Sequence, residues 1–315
     1  MARQTSANAW TSRLSTGAAL AVLVSGAFFV VPVAGQQGQS PANLQRPVFR
    51  VAQAPDAPPA PVPAEGDRID LDESLKQRPG EHPLMPAIRT AKAALNKIDR
   101  NLSDYSATLV KRERIGDNLG AMEYIFTKIR QQPFSVYMYF LGPDSLKGQE
   151  CLYVHGQNDG KLIGHAGSGI RAKLGSVSLK PDGMVAMAGQ RYPITEVGIR
   201  NLTRRLIEVA EQDSQYGECD VKYFHDAKVD GRKCTCIQVT HPKPRKNFLF
   251  HVARIFIDDE LQLPIRYEAY TWPREEGKKV TEDELLEEYT YTNLKLNNSF
   301  IDADFDPNNP KYRFK

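Results

Sequence analysis

Cysteine is scarce in this 315-residue sequence, with Cys151, Cys219, Cys234 and Cys236 as the whole complement. Four thiols spread over such a length cannot staple a small scaffold, so an apolar core has to hold the fold. An excess of one charge is also missing. The formal net charge is +3, and no concentrated basic face stands out, which argues against nucleic acid as a partner. The common catalytic signatures are absent as well. There is no Gly-x-Ser-x-Gly elbow, no His-Glu-x-x-His pair and no Gly-x-x-x-x-Gly-Lys phosphate loop, so the sequence is not read as that of an enzyme and implies no cofactor. Internal repeats are lacking, and so is any long apolar run beyond the first few dozen residues.

What is present begins at the N-terminus. Arg3 and Arg13 precede an apolar stretch, Gly17 to Val31, which is followed by Pro32, Val33, Ala34 and Gly35. This order reads as a secretory signal peptide over residues 1–35, cleaved after Gly35. The chain would then work outside the cytoplasm. An uncleaved segment is the alternative, because about 18 apolar residues just span a bilayer, and membrane association is expected only in that case. Residues 36–83 are rich in Pro, Ala and Gln. They are expected to form a disordered tether, since they offer too little apolar surface to offset chain entropy. Residues 84–315 remain for one globular domain.

That domain should open with a helix. Pro86 stands at its start, and Ile88, Ala91, Leu95, Ile98 and Leu102 recur at helical spacing, with Arg89, Lys92, Lys97 and Arg100 opposite. Strand patterns follow at Tyr105–Ile115, Met122–Arg130, Phe134–Leu141, Glu150–His155 and Lys161–His165, then at Val177–Leu179 and Met184–Met187. Gly164 to Gly175 reads as an irregular loop. A second helix is expected from Thr195, acting as its cap, to Gln212, with Val197, Leu202, Leu206, Val209 and Ala210 on its apolar side. Strands return at Val221–Val229, Lys233–His241, Phe248–Asp258, Leu263–Trp272 and Leu286–Leu296. The order describes an α+β fold with a large, curved, mainly antiparallel sheet.

Several strands are apolar on both faces. In Phe134–Leu141 both the even and the odd positions are apolar, and Phe248–Ile257 behaves in the same way. A one-sided antiparallel sheet alternates more cleanly, so something must cover the second face. Helices could do so, and so could a hydrophobic ligand. On the ligand reading, Val136, Met138, Phe140, Phe250, Val252 and Phe256 line the cavity, although each also suits an ordinary core. The basic loop Lys243, Arg245 and Lys246 could meet anionic head groups at its mouth, or it is a solvated turn.

Cys234-Thr235-Cys236 invites a metal reading. A two-residue turn at Asp230-Gly231 would place His225 opposite Cys236 and Ala227 opposite Cys234. His225, Cys234 and Cys236 could then share a metal, while buried structural cysteines are the alternative and no metal site is assigned. Asp302-Ala303-Asp304-Phe305-Asp306 spaces carboxylates as a calcium loop does, but Pro307 and Arg313 occupy positions where such a loop needs Gly and Glu. It reads as a polar turn.

Three motifs carry a family resemblance. They are the run Tyr105 to Arg114, the run Lys128 to Met138, and Asn158-Asp159-Gly160-Lys161-Leu162. With Leu263 to Tyr270 and the ending Asp304 to Pro310, they make the chain resemble the exported bacterial family of unknown function 1571. The resemblance implies the fold of the periplasmic lipoprotein carriers LolA and LolB, an incomplete antiparallel barrel with helices on its open side, and a place in the bacterial envelope. It transfers no functional residue. The function it suggests is the binding of a lipid, lipoprotein or other hydrophobic ligand, and the alternative is a non-enzymatic domain with a filled core that binds an envelope partner.

Overall fold

A computed structural model of the chain describes residues 68–314, apart from Leu174, Glu276 and the side chain of Arg171. The signal peptide expected over 1–35, and the part of the expected tether over 36–67, lie outside the described residues.

Among the described residues, twelve strands form one antiparallel sheet. The first half comprises β1 (Asp104–Ile115), β2 (Asn118–Leu119), β3 (Glu123–Arg130), β4 (Ser135–Gly142), β5 (Glu150–Val154), β6 (Leu162–His165) and β7 (Val177–Leu179). The second half comprises β8 (Asp220–Val229), β9 (Arg232–Thr240), β10 (Val252–Asp258), β11 (Pro264–Tyr270) and β12 (Leu285–Leu296). Their spatial order is β7-β6-β5-β4-β3-β1-β12-β11-β10-β9-β8, with β2 paired only to β1. The chain therefore runs outward from the centre to one edge, crosses to the other edge, and returns inward until β12 pairs with β1. Edges β7 and β8 do not meet, so the barrel is incomplete. A sheet this wide twists and curls around whatever packs on it.

Helices pack on one face. Besides α1 (Leu71–Ser74), α2 (Met85–Asn101) and α3 (Gly169–Lys173), the long helix α4 (Ile199–Asp213) lies in the connection between the two halves. Lys92 pairs with Glu211 and Asp99 with Arg200, so α2 and α4 run antiparallel. Leu202, Leu206, Val209 and Ala210 of α4 pack with Ile88 of α2 against Ile237, Val239, Ala253, Ile257 and Tyr267 of the second half. Ile98 and Leu102 join the main core with Tyr105, Leu109, Ile125, Ile129 and Tyr291.

Several boundaries differ from expectation, each for a local reason. Lys97, placed on the polar side of α2 by its spacing, is buried and donates to Gln262 Oε1 at 2.7 Å. The second helix starts at Ile199 rather than Thr195, which lies in a separate 3-10 turn. Gly198 breaks the two apart with φ at 117°, a backbone conformation that side chains disfavour. Met184–Met187 forms turns rather than a strand, and β10 begins at Val252, not Phe248. The Gly-rich stretch expected as a loop contains α3.

The domain also starts earlier than Leu84. Asp70 Oδ1 accepts from Glu73 N at 3.0 Å and caps α1, whose Leu71 packs with buried Leu75 in the α4 cluster. Gln262 clamps this strap by exchanging two hydrogen bonds with the backbone of Ile69. Residues 68–83, assigned to the tether by composition, thus include a strap packed on the domain. Composition misses such a strap, because two leucines four residues apart barely register in a Pro-rich stretch.

The second face of β4 is covered by the chain itself. Phe305, Tyr312 and Phe314 form a separate cluster with Tyr137, Leu152 and Val154. Tyr312 stacks on Tyr137 with ring centroids 4.0 Å apart. Asp304 and Asp302 tie this tail to Lys128 and Arg130 at 2.9 and 2.7 Å, which is the use the structure finds for the spaced carboxylates.

Candidate functional site

Along β1 the positions facing the helices read Tyr105, Ala107, Leu109, Lys111 and Glu113, so the face turns from apolar to charged. Register places Lys111 beside Glu123 of β3 and Tyr289 of β12, and Glu113 beside Glu287. Three carboxyl groups and one ammonium thus meet on one face of the sheet. The segment between β7 and α4 completes the group. Gln190 Oε1 accepts from Lys111 Nζ at 2.5 Å, and Arg191 Nε donates to Glu287 Oε2 at 2.8 Å. Arg191 N also donates to Glu113 Oε2, and the hydroxyls of Tyr289 and Tyr192 donate to Glu113 and Glu287.

The cluster holds two cations, Lys111 and Arg191, against Glu113, Glu123 and Glu287. Burial raises Glu123 and Glu287 above the ordinary carboxylate range. Lys111 and Arg191 pull them back without cancelling the effect, and the neighbouring Glu113 charge adds to the rise. Glu123 Oε2 lies 3.4 Å from Lys111 Nζ with no formed hydrogen bond. The group is one positive charge short, so it favours holding a proton.

The apolar part of the same face adjoins this cluster. Val136, Met138 and Phe140 pair with Ile129, Thr127 and Ile125 and belong to the main core. The segment after β7 lies over that core and inserts Ala186, Ile194 and Val197 into it. Gly198 closes the segment against the sheet. A Cβ there would sit 3.0 Å from the Tyr105 hydroxyl and 3.5 Å from Ile129.

Of the six residues expected to line one cavity, Val136, Met138 and Phe140 belong to the main core and Phe256 packs against it, while Phe250 and Val252 do not join them. Phe250 belongs to the cluster under α4. Phe256 stands between Cys236 and Arg266 in the register, on the face of β10 opposite Ile255 and Ile257, with the Arg266 guanidinium 5.9 Å from its ring. Val252 shares that parity. Among the described residues, two depressions of about 350 and 370 Å³ lie at the α1 strap and the β8–β9 edge, and none of the six lines them.

Lys243, Arg245 and Lys246 are exposed, and Arg245 pairs with Glu218. The base of their loop is a buried pair that the sequence did not suggest. His241 Nε2 lies 3.4 Å from Asp213 Oδ2 at the end of α4, and His241 stacks on Phe248 at 3.9 Å. Burial lifts Asp213 to about 6 and lowers His241, so both favour the neutral form.

The metal alternative fails on register. Ala227 does pair with Cys234, but a bulge then shifts the ladder so that Phe224, not His225, faces Cys236. Asp226 occupies the bulge with φ at 62°, and His225 points to Asp72, 3.6 Å away. Cys234 and Cys236 are buried, and all four cysteines are unbonded. A single inserted residue flips the strand's side chains, and spacing alone cannot show it.

The profile of the family described as "Protein of unknown function (DUF1571)" matches residues 102–314. The chain belongs to the DUF1571 family. The matched span runs from the end of α2 through the tail that covers β4, so it takes in the whole sheet and both parts of the polar cluster. No curated protein is significantly similar to this DUF1571 member. Solved structures are similar at low identity. A putative outer membrane lipoprotein-sorting protein domain from Vibrio parahaemolyticus is 12% identical with a TM-score of 0.33, covering 70% of this chain and 96% of that one. The lipoprotein LppX of Mycobacterium tuberculosis is 13% identical with a TM-score of 0.37, covering 67% and 96%. A LolA superfamily protein from Nitrosomonas europaea is 12% identical with a TM-score of 0.27, covering 69% and 97%. Among the described residues no helix is long and apolar enough to cross a membrane.

Proposed function

We propose that this DUF1571 protein is an extracytoplasmic, non-enzymatic carrier that takes an acyl chain, from a lipid or a lipoprotein, between its sheet and the segment joining β7 to α4. One observation carries this reading. The apolar face of Val136, Met138 and Phe140 is roofed partly by an irregular segment that is fixed to the sheet through the Lys111–Glu113–Glu287–Arg191 group. Displacing that segment exposes a continuous apolar trough without breaking a strand ladder. Burying an acyl chain there is favoured by about 0.8 kcal/mol for each methylene.

Native mass spectrometry of the protein recovered from its exported form tests the reading. A discrete added mass that extracts into organic solvent as a lipid supports it and names the class. A bare polypeptide mass, repeated after lipid extracts are offered, overturns it.

A specific observation favours a second reading, an envelope interaction domain with a filled core. Neither of the two depressions at the α1 strap and the β8–β9 edge touches the apolar face. On that reading the segment never leaves, and the bare mass is the expected result.

A further inference from the structure

The stretch from α3 through β7 into that segment has an outer surface of unusual composition. Leu179 and Ala186 tuck into the main core, while Met184 and Val185 between them are 89% and 70% exposed. Ile170 on α3 and Val177 on the edge strand β7 are 80% and 49% exposed. These four lie on α3, on β7 and on the segment that follows it, within sixteen positions of sequence. Isolated exposed apolar side chains need no explanation, but large ones gathered in one region mark an interaction site.

The charges of the stretch decide what covers it. Residues 166–189 carry Arg171, Lys173 and Lys180 against the single acid Asp182. Lys173 and Lys180 are exposed, and no ion pair engages either among the described residues. Exposed apolar side chains flanked by exposed lysines with long aliphatic stems suit an interface where the apolar groups enter hydrocarbon and the amines reach phosphate.

We propose that the stretch from α3 through Val185 docks the domain onto an anionic phospholipid surface, with Ile170, Val177, Met184 and Val185 entering the acyl boundary and Lys173 and Lys180 meeting head-group phosphates. The contact belongs to the folded domain and needs no membrane-inserted N-terminal segment. It also does not depend on an acyl chain entering the sheet, so an empty carrier or a filled interaction domain would dock in the same way.

Hydrogen exchange of the full chain, followed by mass spectrometry, tests the docking locally. Vesicles of phosphatidylcholine with about a third phosphatidylglycerol should slow exchange across residues 169–187, and pure phosphatidylcholine should do so far less. The double variant Met184→Asp/Val185→Asp should require about tenfold more lipid for the same protection. Lys173→Glu/Lys180→Glu should require at least as much more, since each cation near such a surface counts for about fivefold. All four positions are exposed, so the thermal midpoint should stay put and exclude misfolding as the cause.

Three results would overturn the proposal. One is co-sedimentation with vesicles while exchange in this stretch is unchanged, which would place the contact in the N-terminal segment. Another is protection that ignores lipid charge. The third is protection without lipid that grows with protein concentration, which would make the patch a contact between copies of the chain.

Discussion

The hydroxyl of Tyr105, at the start of β1, accepts a hydrogen bond from Ile199 N at 2.7 Å and so caps the first turn of α4. Tyr291 of β12 leans on Tyr105 edge-on at 6.2 Å. The central strands therefore fix where the crossing helix begins. Tyr105→Phe keeps the ring but leaves a buried helix N–H without its partner. The expected cost is about 1–3 kcal/mol, read as a lower midpoint in urea with an unchanged slope. Gly198→Ala should also destabilise, by more than about 1 kcal/mol, because φ is unsuitable and the new methyl crowds Tyr105.

Lys111 is nearly buried among three carboxyl groups, so Lys111→Met should be expensive. Removing one partner of a buried ionic group costs about 3–5 kcal/mol. Adding Glu123→Gln should recover part of the loss, since it removes the carboxyl left with least support. A double-mutant cycle by chemical denaturation reads the coupling, and strict additivity of the two changes would refute the shared network.

Asp213 predicts a pH dependence with a definite sign. Its carboxyl is raised by burial to about 6 in the folded state, against about 3.9 for an unfolded chain. The folded protein binds the proton more tightly, so this group costs stability above pH 6 and the cost is relieved as pH falls towards 4. His241 works in the opposite direction, because its lowered value opposes protonation below pH 6.5. Comparing wild type with Asp213→Asn isolates the first effect. Wild type should gain on the variant between pH 7 and pH 5, and a constant difference across that window would refute the assignment.

The cysteines should be inert in the native state. Burial pushes Cys151 and Cys236 up to about 11 and Cys219 and Cys234 up to about 12. The thiolate is the reactive form, so labelling at pH 8 should be slow until denaturant is added, when all four should react. Fast labelling of Cys234 or Cys236 in the native protein would contradict their burial.

Phe305 tests the cover on the outer face. It is 2% exposed and packs among the tail aromatics, so Phe305→Ala should cost about 3–5 kcal/mol. The loss should appear together with binding of a dye specific for exposed apolar surface, as Tyr137 and Leu152 become accessible.

The strands were legible because side-chain alternation and turn residues act locally. Every ladder from β1 to β12 lies within a few residues of its pattern, apart from β2 and the turn at Met184. What spacing could not show is what covers each face. The doubly apolar β4 suggested a ligand on its second side, and the structure supplies Phe305, Tyr312 and Phe314 from far along the chain. The polar cluster was present in the alternation of β1, where Lys111 and Glu113 follow Leu109 on the same face. Without the partners on β3, β12 and the connecting segment, two charges near a strand end look like solvated residues. The bulge at Asp226 is a third kind of loss, since one extra residue leaves the composition unchanged and reverses the pairing.

The meeting of β1 with β12 at the centre of the sheet sets an order of assembly. Asp104 Oδ1 accepts from Asn298 N at 2.6 Å, across 194 positions of chain. Until β12 arrives, β1 presents an open edge, and so does β11. Long-range pairing of this kind is slow to form, and open edges are templates for the wrong partner. A nascent chain would thus be kept loose until its last strand is available, and a truncation before Leu285 would leave two raw edges where the finished protein has a strand paired on both sides.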